Sequence, residues 1–156
     1  MAHICITCKT IVRPCFVELF KIQNKTTEGF YKDYVPCVQN YCAGQIVEID
    51  DLILPIIKLL WKKGYETKAC CSSHPEEANI AGSAGTYILF KHNYMFNEIP
   101  EGFEFEVFQH ENIYEDCVIS KRLTSNADIE AISEIGNNMI QLCRWAEKLP
   151  LVSKSK

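Results

Sequence analysis

Asp50-Asp51-Leu52-Ile53-Leu54-Pro55-Ile56-Ile57-Lys58-Leu59-Leu60-Trp61-Lys62-Lys63-Gly64, followed at once by Tyr65-Glu66-Thr67-Lys68-Ala69-Cys70-Cys71, is the stretch on which the fold turns. Apolar residues at 52, 53, 56, 57 and 60 recur at helical spacing. Asp51 is the expected N-cap. Pro55 then falls in the first turn, where backbone donors lack helical partners anyway. Lys62-Lys63-Gly64 is a stop signal: cations suit the negative end of the helix, and glycine accepts the left-handed cap. The spacing therefore predicts a helix, and Tyr65 to Cys71 a strand directly after it.

Downstream, Ser72 to Gly85 reads as a loop of small and polar residues. Thr86 to Lys91 is apolar on both faces, as a central buried strand would be. Pro100-Glu101-Gly102 marks a turn. Phe103, Phe105 and Val107 alternate with Glu104 and Glu106, which predicts a strand with one wet face. Residues 114–122 predict another strand. Ser125 opens the last helix, with Asp128 completing a weak capping box. Ile129, Ile132, Ile135, Met139, Leu142, Cys143 and Ala146 are its expected buried stripe, and Pro150 ends it. The fold class is α+β: a small antiparallel or mixed sheet with two main helices on one face, preceded by a zinc-ribbon-like module. The expected divisions are a cysteine-rich module over 1–45, the α+β domain over 46–149 and a flexible tail over 150–156.

Hydrophobic residues make up 47% of the 156 and charged residues 23%, a globular balance. No apolar run approaches the roughly 18 residues of a membrane span, and the opening Met1-Ala2-His3-Ile4-Cys5 lacks a secretion pattern. A cytoplasmic location is expected, in the host cell if the chain is phage-encoded. The net charge of −4 is uneven. Residues 1–45 hold five Lys/Arg and three Asp/Glu, whereas 46–124 hold seven and thirteen. An acidic middle argues against a broad face for duplex nucleic acid.

Five of the nine cysteines lie before residue 45. A reducing compartment and an odd count both speak against a disulfide framework. Cys5-Ile6-Thr7-Cys8 is one pair, and Cys37 and Cys42 form a wider second pair. Cys15 to Ile22 and Phe30 to Val35 are expected strands, joined through a turn over Asn24 to Gly29 that would bring the pairs together. Four thiolates from two short loops suit a structural Zn2+. Metal ligation by Cys5, Cys8, Cys37 and Cys42 is the expectation, with Cys15 and His3 as substitutes. The alternative is that these are buried thiols.

Cys70-Cys71-Ser72-Ser73-His74 gathers thiols, hydroxyls and an imidazole where a strand runs into a loop. Cys71, Ser72, Ser73 and His74 are expected to bind a small anionic ligand through side chains and backbone amides, with the polar side chains after Cys71 facing outward. Cys70 or Cys71 with His74, His92 or His110 as base is the catalytic alternative, centred on Cys71 and His74. No full set of nucleophile, base and orienting acid can be assembled, so the enzyme reading ranks lower.

Leu59-Leu60-Trp61-Lys62-Lys63-Gly64-Tyr65-Glu66-Thr67-Lys68-Ala69-Cys70-Cys71-Ser72-Ser73-His74, followed by Tyr87-Ile88-Leu89-Phe90, resembles an uncharacterised family of small phage and bacterial proteins. That family has a cysteine-rich N-terminus and a KGYxTxxCCSGH core; Ser73 stands here where it carries glycine. The resemblance implies a phage setting, with host takeover or suppression of bacterial defence as the expected context and a host protein as another partner. It leaves homo-oligomerisation open. More distantly, the turn is similar to the SCSGR turn of the wybutosine-synthesis methyltransferase, with His74 in place of arginine. That likeness extends the enzyme alternative to nucleotide or RNA modification.

Overall fold

The structure is a computed structural model of the chain, and it describes residues 1–5, 7–12, 35–37, 42, 45–75, 85–110, 114–125 and 128–152. It divides into two compact units, Met1–Asp51 and Leu52–Lys156. Most of residues 15–35, where a hairpin is expected, lie outside the described residues, as does Cys15.

The first unit carries β1 (Ala2–Cys5), β2 (Ile11–Val12), β3 (Val35–Pro36) and β4 (Gln45–Ile49) in one antiparallel sheet of order β2-β1-β4-β3. Its longest pairing sets Ala2 opposite Ile49 and Cys5 opposite Ile46. The boundary expected after residue 45 therefore falls inside β4: residues 46–49 belong to the cysteine module because β1 needs them as its neighbour. Ile4, Cys5 and Ile49 are buried in this unit. The Met1 amine donates to the Asp51 carboxylate at 3.0 Å.

The second unit opens with α1 (Leu54–Lys62). Pro55 sits in its first turn, as its fixed φ allows. Asp51 is not the cap. Ile53 occupies that position without a side-chain cap bond, while the Asp51 carboxylate holds the chain's own amine. Ile53, Ile56, Ile57 and Leu60 are buried. Gly64 ends the helix at φ +92°, a conformation that a Cβ would strain, and a Cβ there would also crowd Val152 at 3.1 Å.

β5 (Thr67–Cys71), β6 (Thr86–Phe90), β7 (Glu104–His110) and β8 (Tyr114–Lys121) form an antiparallel sheet of order β5-β6-β8-β7. A register shift between Thr67 and Ala69 breaks the simple alternation expected for β5. Cys70 still pairs with Ile88, Ile88 with Ile119, and Ile119 with Phe105, so these four share a face. α2 (Asp128–Lys148) meets that face through Asn138 at Thr86 and Trp145 at Phe90, and also packs on α1. The Trp145 ring lies edge-on to Phe90 and Phe96, and its indole donates to the Glu98 carbonyl at 2.8 Å. The unit is thus α+β, with its described helices on one face.

The stripe that α2 buries keeps Ile135, Leu142 and Ala146 as expected, with Met139 and Cys143 half-buried, but departs from expectation at its start. Ala131, Ile135, Asn138, Leu142, Trp145 and Ala146 are buried, whereas Ile129 is 83% and Ile132 58% exposed. Asn138 lies within that stripe with its amide donating to Thr86 Oγ1 at 3.4 Å, which satisfies a donor that burial would otherwise leave unpaired. On β7, Glu104 and Glu106 face solvent as expected, but Val107 and Phe108 are exposed too, because β7 is the sheet edge. Nor is the end of the chain loose from residue 150 onward: the Val152 amide donates to Lys63 O at 2.8 Å.

Candidate metal centre

β1 delivers Cys5 to the end of its strand, and the chain then folds back on it. The amides of Thr7 and Cys8 donate to Cys5 Sγ at 3.4 and 3.5 Å. The Lys9 amide donates to Cys5 O at 2.9 Å, and the Cys5 amide to Thr10 O at 3.0 Å. Closing so tight a turn requires a left-handed residue. Lys9 supplies it at φ +62°, where such a knuckle more often carries glycine. Amides aimed at a sulfur stabilise its thiolate and fix its direction toward a metal.

Cys37 follows β3, and Cys42 precedes β4. Cys5 Sγ lies 3.7 Å from Cys42 Sγ, and Cys8 Sγ 3.5 Å from Cys37 Sγ. All four sulfurs fall within 4.8 Å of one another. A disulfide needs about 2.05 Å, so no pair is bonded. Zinc holds thiolates at about 2.3 Å, which sets the edge of its tetrahedron at about 3.8 Å. The two short sulfur separations match that edge, and each joins one cysteine from either loop. Four soft donors gathered this closely suit a metal such as zinc. His3 is buried in β1 and is not among the clustered ligands.

Thr10 is a contributor that the sequence did not flag. Cys8 Sγ sits 3.2 Å from its hydroxyl. Hydrogen bonding to the Thr10 side chain, then to its backbone, brings the Cys8 thiol down to about 6, against the slight upward push of burial. A thiol near that value enters metal ligation readily at neutral pH.

The Cys71–His74 turn differs from expectation in one respect. Its hydroxyls do not face outward: Ser72 is 2% and Ser73 3% exposed. The Ser73 amide donates to Cys71 Sγ at 3.3 Å, and Ser73 takes φ +74°. That contact turns the chain inward, and Ser73 Oγ is left without a hydrogen-bond partner among the described residues. Thr86 Oγ1 donates to Ser72 O at 3.1 Å, tying the turn to β6. Cys71 and His74 are half-buried, and their sulfur and ring nitrogen lie within 4.8 Å. Cys70 faces the other way, toward the Ile88 side of the sheet.

Of the other candidate bases, His92 follows Phe90, which pairs with Thr67, and His110 pairs with Tyr114. Both stand at the opposite end of the sheet from Cys71, whose partner is Tyr87. Only His74 is brought to the turn.

Among the described residues no helix is long and apolar enough to cross a membrane. The chain matches no protein-family description, no curated protein and no solved structure.

Proposed function

We propose that this is a zinc-stabilised binding protein. Its N-terminal unit is held by one Zn2+ on Cys5, Cys8, Cys37 and Cys42, and its α+β unit engages a small anionic, nucleotide-like ligand. The observation that carries the reading is the crosswise approach of the four sulfurs at the edge length of a zinc tetrahedron. So small a unit gains its folding free energy from the metal as much as from its core. The ligand reading is supported by polar groups held on a rigid sheet, including the half-buried Cys71–His74 pair. The phage setting, and a host protein as an alternative partner, rest on the family resemblance alone.

Native mass spectrometry of the gently purified chain tests both halves. It should show one zinc per chain, together with a co-purified small anion. A metal content far below one equivalent would overturn the zinc assignment.

A further inference from the structure

Between α2 and the end of β8 lies a cleft of about 660 Å3, within the range that holds small ligands. Lys121 and Arg144 line it with Gln141, and Lys121 Nζ donates to Gln141 Oε1 at 3.3 Å. Neither cation has an ion-pair partner among the described residues. Two acids also line the cleft. Glu134 is already engaged, accepting hydrogen bonds from Thr124 and Ser125. Glu130 stands fourteen residues before Arg144, about 21 Å along the helix. The Lys121–Arg144 end is therefore cationic.

Asn138 lines the same cleft and is 0% exposed. Its orientation is fixed by a relay. Thr86 commits its one hydroxyl proton to Ser72 O, so its oxygen can only accept, and Asn138 must turn Nδ2 toward it, at 3.4 Å. Asn138 Oδ1 is then buried without a partner among the described residues. Buried carbonyl oxygens seldom go unpaired, and this one asks for a donor. Residues 138, 141 and 144 step round the flank of the helix, each about 60° from the one before, from buried Asn138 to exposed Arg144, and 138 and 144 are about 9 Å apart along the axis.

We infer that this cleft binds a nucleoside monophosphate-like ligand. Its phosphate lies between Lys121 and Arg144, and an N–H or O–H donor of its nucleoside meets Asn138 Oδ1. A bare phosphate satisfies only the cations; a neutral nucleoside satisfies only the amide. The inference rests on the reading that the α+β unit engages a small anion, and it places that ligand in the cleft rather than at the Cys71–His74 turn. The turn, joined through Thr86 to Asn138, positions the amide instead.

Two-dimensional NMR of the full zinc-loaded chain, titrated with the common nucleoside 5′-monophosphates and separately with inorganic phosphate, tests it. At least one nucleotide should shift the Asn138 side-chain amide and the signals of Lys121, Gln141 and Arg144. It should bind at least about tenfold more tightly than phosphate, and Arg144→Glu, at an exposed site, should weaken it by about tenfold or more. Phosphate binding as tightly as every nucleotide would overturn the ligand class. Shifts confined to residues 71–74 would overturn the placement while leaving the anionic-ligand reading intact. Silence toward every probe at millimolar concentration would overturn both.

Discussion

Lys9 and Ser73 carry side chains on a left-handed backbone, at φ +62° and +74°. Each such residue costs on the order of 1 kcal/mol or more. At Lys9 the strain closes the loop that aims two amides at Cys5 Sγ. At Ser73 it is compounded by a buried hydroxyl without a partner among the described residues. Ser73→Gly removes both penalties and adds only the backbone entropy of glycine, about 0.5–1 kcal/mol. A net stabilisation of about 1 kcal/mol is expected, read as a higher urea midpoint at unchanged slope. A lower midpoint would show that the hydroxyl is satisfied. Ser73 was legible as irregular from the sequence, since the family it resembles carries glycine there. That the Ser72 and Ser73 side chains turn inward was not legible, because their burial depends on bonds to Cys71 and Thr86.

The entry to α2 depends on Glu134. Its carboxylate reaches back toward the start of the helix to accept hydrogen bonds from the amides and hydroxyls of Thr124 and Ser125. Burial alone would raise its pKa. The Ser125 hydroxyl, then the Thr124 and Ser125 amides and the Thr124 hydroxyl, outweigh burial and hold it below the ordinary glutamate value. The folded value thus lies below the unfolded one, and the linkage has one sign: the stabilisation is present above about pH 4.3 and is lost as pH falls through the folded value. Protection of the Thr124 and Ser125 amides, measured against intrinsic exchange, should fall as the pH drops below the ordinary glutamate range, and Glu134→Gln should flatten that response. An unchanged response in the variant would place the titration elsewhere. At this scale the helices and the strands of the second unit were readable from period and punctuation. The face of α2 was not. Isoleucines 129, 132 and 135 fit one helical stripe on paper, but the buried side takes in Ala131 and the polar Asn138 instead of Ile129 and Ile132, and the bond that lets Asn138 lie there joins it to Thr86, far away in sequence.

The division of the whole chain at Asp51 follows from strand pairing rather than composition. Read along the chain, residues 46–49 go with the domain that follows them; only their register against Ala2–Cys5 assigns them to the first unit. If zinc closes that unit, removing it with a chelator should abolish amide protection in β1 and β4 while β6 and β8 keep theirs, and Cys37→Ser should do the same. Equal loss in both units would show that the metal serves the entire molecule. The cysteine pairs and their role were legible because zinc ligands cluster in sequence; the crosswise matching of Cys5 with Cys42 and Cys8 with Cys37 emerges only in space. The same register also fixes an order of events during synthesis. β1 leaves the ribosome before its main neighbour, β4, and two of the four thiols are made some thirty to forty residues after it. Until Ile49 emerges, the nascent chain carries Cys5 and Cys8 with no finished cage to receive them. Translation therefore sets the earliest moment at which the first unit can close.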